Sequence, residues 1–231
     1  MLIESLQNEK IKNLTRLITD NRFRKKSGTF VVEGQQENAM AANFGFDVQE
    51  YFICESIYSE DFPKGKINLV SEKVYEKIAY RGSSEGIIGV YKTKYSKLNT
   101  FVPQENSSVI IVESIEKPGN LGAILRSCEA FGIEALIITD PKVDFYNPNV
   151  IRSSVGCLFG MKVFQSANEE LFEFLQEKGF NIFTTLMDES AEHIDQQNFK
   201  GNSALLFGTE HSGLSDFWIG KGKNTLIPMA G

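Results

Sequence analysis

Cysteine, histidine and tryptophan are all scarce in this 231-residue chain, at three, two and one. Cys54, Cys128 and Cys157 are widely spaced and odd in number, which excludes a disulfide framework and a Cys-x-x-Cys redox or metal pair. The two histidines, His193 and His211, share no metal-ligand spacing, so no metal is expected. Long apolar runs are missing too: none approaches the roughly 20 residues that span a bilayer. The opening residues, Met1 to Leu14, lack the basic-then-apolar order of a secretory leader. These absences point to a cytoplasmic chain with no membrane partner. Neither a Gly-x-Gly-x-x-Gly turn nor the Lys-Ser/Thr of a P-loop follows a strand, which argues against dehydrogenase-like and nucleotide-binding readings.

Hydrophobic residues make up 42% and charged ones 23%, the mixture of a globular rather than a disordered protein. A net charge of −6 argues mildly against a protein that coats nucleic acid, but the charge is uneven. Lys10, Lys12, Arg16, Arg22, Arg24, Lys25 and Lys26 face a single acid, Asp20, within one stretch. Such a patch can hold phosphates, and it fits a solvated helix face equally well.

A polar segment, 96–107, with Pro103 and Asn106, reads as a linker between a front domain (1–95) and a rear one (108–231). In the front domain, Ile11, Leu14, Leu17 and Ile18 recur at helical spacing. Strands are expected at Thr29–Val32, Glu50–Cys54 and Gly86–Tyr91, and a helix at Ser71–Tyr80 capped by Ser71. The rear domain alternates short apolar strands with helices. The strands are Val109–Glu113, Ala135–Thr139, Lys162–Phe164, Asn181–Thr185, Ala204–Phe207 and Thr225–Ile227. The helices are Leu121–Phe131, Pro148–Leu158 and Glu169–Lys178, the last capped by Asn168 and stopped by Gly179. This order predicts an α/β fold with a parallel sheet covered on both faces. Ligands in such sheets sit beyond the carboxyl ends of the strands.

Three post-strand segments stand out. In Glu113–Gly132 a helical wheel puts Leu121, Ile124, Leu125, Cys128 and Phe131 on one apolar face, with Arg126 opposite. A cation there, near the amides of a helix start, could hold a phosphate, and it could equally be a surface arginine. The second segment, Leu205–Ser215, sets Gly208 directly behind a strand and Gly213 five positions on, where backbone can approach a ligand closely. By itself it is also compatible with a structural turn. The third, Asn224–Gly231, contains Pro228, which ends strand pairing.

In this order and spacing the segments resemble the three signature motifs of the SpoU (TrmH-type) branch of the SPOUT RNA methyltransferases. Asn120-Leu-Gly-Ala-Ile-Leu-Arg126 is similar to motif 1, Phe207-Gly-Thr-Glu-His-Ser-Gly-Leu-Ser215 to motif 2, and Ile227-Pro-Met-Ala-Gly231 to the opening of motif 3. The stretch Asp144–Gly156 also resembles the family's segment between motifs 1 and 2. Phe30–Gly34 and Gly86–Tyr91 are similar to the substrate-binding domain often fused in front.

The resemblance implies a small α/β RNA-binding domain (1–95) ahead of an α/β-knot domain (108–231) with a parallel sheet. It implies methylation of a ribose 2′-hydroxyl in ribosomal or transfer RNA, with S-adenosylmethionine (AdoMet) as methyl donor. Asn120, Arg126 and Glu210 would then be catalytic. Thr185, Leu186, Gly208, Gly213, Ile227 and Met229 would line the cofactor pocket. Arg22, Arg24, Lys25, Lys26 and Arg152 would contact RNA, and a final helix would build a homodimer. The family's motif 3 continues with a Ser-Leu-Asn-Val-Ser-like run, whereas this sequence stops at Gly231. The expectation for residues 1–231 alone is an incomplete knot, weak cofactor binding and poor methylation. The competing expectation is an inactive RNA-binding protein that keeps the fold.

Overall fold

The computed structural model describes residues 2–80, 85–186 and 191–228. The chain divides into two compact units. One contains Met1–Lys94, Pro118–Ala123 and Asp144–Gly160; the other contains Tyr95–Lys117, Ile124–Val143 and Met161–Gly231.

The first stretch forms β1 (Leu2–Ile3), α1 (Glu9–Thr19), α2 (Asn21–Ser27), β2 (Thr29–Glu33), α3 (Gln35–Asn43), β3 (Val48–Ile53), β4 (Ile67–Val70), α4 (Glu72–Ile78) and β5 (Ile87–Lys92). Its five strands make one mixed sheet in the order β1-β4-β3-β5-β2. Helix α1 starts where the Asn8 side chain accepts from the Lys10 N–H, and it buries Ile11, Leu14 and Leu17. Those side chains join Val31, Phe52, Val74 and Val90 in one core, as the helical spacing predicts. Asp20 caps α2 by accepting from the Phe23 N–H at 3.1 Å. Ser71 stands at the N-cap of α4 but makes no side-chain cap bond.

The rest of the chain runs β6 (Ser108–Glu113), α5 (Pro118–Ala130), β7 (Ala135–Thr139), α6 (Pro148–Ser153), α7 (Cys157–Gly160), β8 (Lys162–Ser166), α8 (Asn168–Glu177), β9 (Asn181–Thr184), β10 (Glu192–His193), β11 (Ser203–Phe207) and β12 (Lys223–Leu226). The strands form a second sheet, parallel throughout, in the order β10-β12-β9-β11-β6-β7-β8. All five residues of β7 are buried, as a strand covered on both faces requires.

Several expectations are corrected. The supposed linker is packed: Leu98 and Phe101 are buried in the second unit's core with Phe164, Phe174 and Trp218. The helix expected over Pro148–Leu158 is two short ones. Val155 (φ 52°) and Gly156 (φ 80°) both take left-handed backbone between them, which ends any α-helix. Asn168 does not cap α8, whose N-cap is Ala167. Its amide donates to Glu113 instead. The segment Asp144–Gly160 packs within the first unit. Tyr146 stacks on Phe30 with ring centroids 4.2 Å apart, and its hydroxyl accepts from the Lys94 N–H at 3.0 Å.

Among the described residues, no helix is long and apolar enough to cross a membrane, and no cluster of His, Cys, Asp and Glu could hold a metal ion.

Candidate active site

The strand order sets the carboxyl ends of β12, β9, β11 and β6 side by side. The segments that leave them therefore emerge along one edge, where open parallel sheets bind ligands. Thr185, just past β9, is fastened to β11 twice: its N–H and its Oγ1 both bond the Leu206 carbonyl, at 3.2 and 2.8 Å. Leu186 beside it is half-buried.

Past β11 the chain folds into a tight loop. The Thr209 N–H donates to the Gly213 carbonyl at 2.9 Å, and the Gly213 N–H donates back at 3.1 Å. Main chain packs on main chain inside it. A Cβ on Gly208 would stand 1.9 Å from the Gly213 carbonyl carbon and 2.1 Å from the Leu214 nitrogen, so no side chain fits there. Gly213 takes φ +68°, where L-residues are strained. Both glycines are required by the shape of the loop, and the surface they leave is backbone.

The turns after β6 and β7 are strained as well. Ser114 and Asp140 adopt φ 54° and 44° without being glycine. The Ser114 hydroxyl donates to Asp140 at 2.8 Å, and Lys142 donates to the same carboxylate at 2.7 Å. Those bonds hold the Asp140 carboxyl below its ordinary range. Strain of this kind gathers at functional sites, and here it sits on the same edge as the glycine loop.

Two residues at this edge escaped the sequence reading. Glu113, the last residue of β6, is only 4% exposed. It accepts from Asn168 Nδ2 at 2.5 Å, from the Ser215 N–H at 2.7 Å and from Ser215 Oγ at 2.7 Å. The available signal was an acid closing an otherwise apolar strand. Lys117 was also missed; it forms an ion pair with Glu210.

The expected site residues are distributed as follows. Thr185, Leu186, Gly208, Gly213, Glu210 and Ile227 all follow strands of the carboxyl edge, Ile227 being exposed. Met229 lies outside the described residues. Asn120 is exposed in the first turn of α5. Arg126 is exposed on the same helix, but α5 begins at Pro118 rather than Leu121. Arg126 therefore stands in the third turn, five residues beyond the first-turn amide of Leu121.

The structure overturns one expected RNA contact, Arg24. It is 3% exposed and pairs with Asp144, itself buried, at 2.6 Å. Its Nη1 also donates to the Leu17 carbonyl at 2.7 Å. A guanidinium so enclosed cannot grip RNA backbone. Arg22, Lys25 and Lys26 remain exposed, and helical spacing explains the difference: positions i, i+3 and i+4 share a face that Arg24 does not.

Arg152 is exposed, and its Nη1 donates to the Tyr80 carbonyl at 3.3 Å. It lines a cavity of about 170 Å³ in the first unit, with Glu33, Glu37, Glu85, Ile18 and Ile151. Loss of solvent there raises the Glu37 carboxyl above its ordinary range; Glu85 adds to the rise, while a backbone hydrogen bond and Arg152 oppose it.

The profile described as the SpoU rRNA Methylase family matches residues 107–231, and one described as an MRM3-like substrate binding domain matches residues 8–89. The 23S rRNA (guanosine(2553)-2'-O)-methyltransferase RlmP of Bacillus subtilis is 25% identical over 232 residues, covering 99% of this chain and 91% of that protein. A crystal structure of an RNA 2'-O ribose methyltransferase superposes with a TM-score of 0.86 at 28% identity, over 100% of this chain and 91% of that one. An AdoMet-bound rRNA methyltransferase from Sinorhizobium meliloti, 23% identical, shares the fold at a TM-score of 0.89 over 100% of this chain and 90% of its own.

Proposed function

Because the chain belongs to the SpoU rRNA methylase family, we propose that it transfers a methyl group from AdoMet to a ribose 2′-hydroxyl of ribosomal or transfer RNA. The observation that carries this reading is the glycine loop at the carboxyl end of β11. Its van der Waals contact of Gly208 with Gly213 and Leu214 leaves no room for a Cβ. The loop offers main-chain groups to a ligand, and Thr185, pinned to Leu206, stands on the adjoining strand. An adenosyl group suits that mixture of backbone donors, backbone acceptors and half-buried apolar surface from Leu186.

When bound, AdoMet supplies an electrophilic methyl group on a sulfonium. The protein's own task is to align a ribose hydroxyl in line with it and to ease loss of the hydroxyl proton. Arginine is a poor base, because its delocalised guanidinium does not give up its proton in proteins. Arg126 is therefore assigned to orienting an RNA phosphate and stabilising the developing alkoxide. Asn120 and Glu210 complete the catalytic group as the residues that fix the guanidinium. The Lys117–Glu210 pair is about half exposed at both ends, so it is worth no more than about 1 kcal/mol and can exchange for Arg126. Arg22, Lys25 and Lys26 hold RNA backbone, and affinity should fall with salt. Arg152 is a further RNA contact.

Isothermal titration of the protein with AdoMet and, separately, with NAD tests the reading. Binding of AdoMet and not NAD is expected. Heat with NAD alone, or with neither, would contradict it.

A further inference from the structure

Resting on the methyltransferase reading, we infer that Glu113 is a positioning residue for the methyl donor: its buried carboxylate fastens the return limb of the glycine loop to the end of β6. Among the described residues its partners are hydrogen-bond donors rather than a cation. A carboxylate buried without a counter-ion is costly unless several donors satisfy it. Here the donors come from segments 55 and 102 residues away in the chain, and each side of the arrangement leads to the site.

Ser215 lies two residues beyond Gly213. Holding its N–H and its hydroxyl from behind sets where the Gly213 carbonyl and Leu214 nitrogen come to rest against Gly208. That contact shapes the backbone surface of the loop. On the other side, Glu113 directly precedes the left-handed Ser114, where the chain turns toward α5 and Arg126. One side chain thus sets the donor-side loop relative to the strand end that leads to the acceptor side. Asn168, at the start of α8, holds the carboxylate itself in register.

A carboxylate is the side chain this job requires. Its two oxygens accept from all three donors, whereas a glutamine in the same place offers one acceptor and turns a donor toward Asn168. The β6 pairings to β11 and β7 are made by backbone and do not need the side chain. Loss of Glu113 should therefore move the loop more than the sheet.

Titration of AdoMet into wild type, E113Q, S215A and the double variant E113Q/N168D tests this, because it reads affinity and the fraction of binding-competent protein separately. E113Q should raise the AdoMet Kd about tenfold with stoichiometry unchanged. E113Q/N168D, in which the new amide donates to the new carboxylate, should recover to within about threefold of wild type. S215A keeps the main-chain bond and should raise Kd about two- to threefold. A purely structural role would lower the competent fraction and leave Kd alone. That result, an E113Q Kd within error of wild type, or a failure of N168D to rescue overturns the inference. Should E113Q not fold, an unchanged Kd in S215A overturns it as well. Wild type that binds no AdoMet contradicts the methyltransferase reading itself and takes this inference with it, so the two failures are distinguishable.

Discussion

In the front unit, seven basic side chains crowd between Lys10 and Lys26, yet the most fully satisfied of them points inward, to Asp144. At the carboxyl edge of β12, β9, β11 and β6 the proportions are reversed. The candidate cofactor surface there is mostly glycine and backbone, and a buried acid, Glu113, is hidden beneath the loop it holds. Charge density marks the first region and steric closeness the second. Only the second can be deduced locally, because the fit of Gly208 against Gly213 involves residues five apart, whereas the fate of Arg24 depends on a partner 120 residues away.

The largest expected effect attacks the front unit. Arg24→Ala strands the buried Asp144 carboxylate and should cost about 3–5 kcal/mol of unfolding free energy in urea titration. The pair Arg24→Met with Asp144→Leu should lie near wild type, since burial rather than charge holds the segment. If Arg24→Ala instead left stability intact and weakened RNA binding, the contrast between the two regions would collapse.

Next comes Arg126→Ala, expected to slow methyl transfer about 100- to 1000-fold while AdoMet affinity stays within about twofold. Single-turnover transfer with saturating RNA measures it. Gly208→Ala should do the opposite, raising the AdoMet Kd by about 30-fold through displacement of the Gly213–Leu214 backbone; calorimetric titration reads this directly.

Replacing Arg22, Lys25 and Lys26 together by alanine should flatten the dependence of log K for RNA on log salt by about 2. Adding a neutral substitution at Arg24 should flatten it no further. The smallest effect concerns Glu37. Its carboxyl titrates above its ordinary value in the folded protein, so the charged form costs stability above the folded pKa. That penalty vanishes below about pH 4.5, where the group is protonated in both states. Glu37→Gln should accordingly stabilise at pH 7 by under about 1 kcal/mol, with the gain fading on acidification in pH-resolved thermal melts.

The sheet of the second unit was legible because β6, β7 and β11 are short, nearly continuous apolar runs between turn residues, and parallel burial demands that pattern. Helix α1 was legible from its spacing, and the glycine loop from its place behind a strand. Strands β1 and β4 were not, since two and four residues carry too little periodicity to separate from loop. The break between α6 and α7 was hidden because Val155 gives no local warning of left-handed backbone. Lys117 and Glu113 were invisible for a different reason: their partners, Glu210, Asn168 and Ser215, come from distant segments that meet only once the parallel sheet has formed.

The central claim is most directly tested by incubating the protein with methyl-labelled AdoMet and ribosomal or transfer RNA from cells lacking its gene, then hydrolysing the RNA with alkali. A 2′-O-methylated ribose blocks cleavage of its own 3′ linkage, so the account predicts label in alkali-resistant dinucleotides. Label confined to mononucleotides, which would place the methyl group on a base, or RNA binding with no label at all, would contradict ribose methylation.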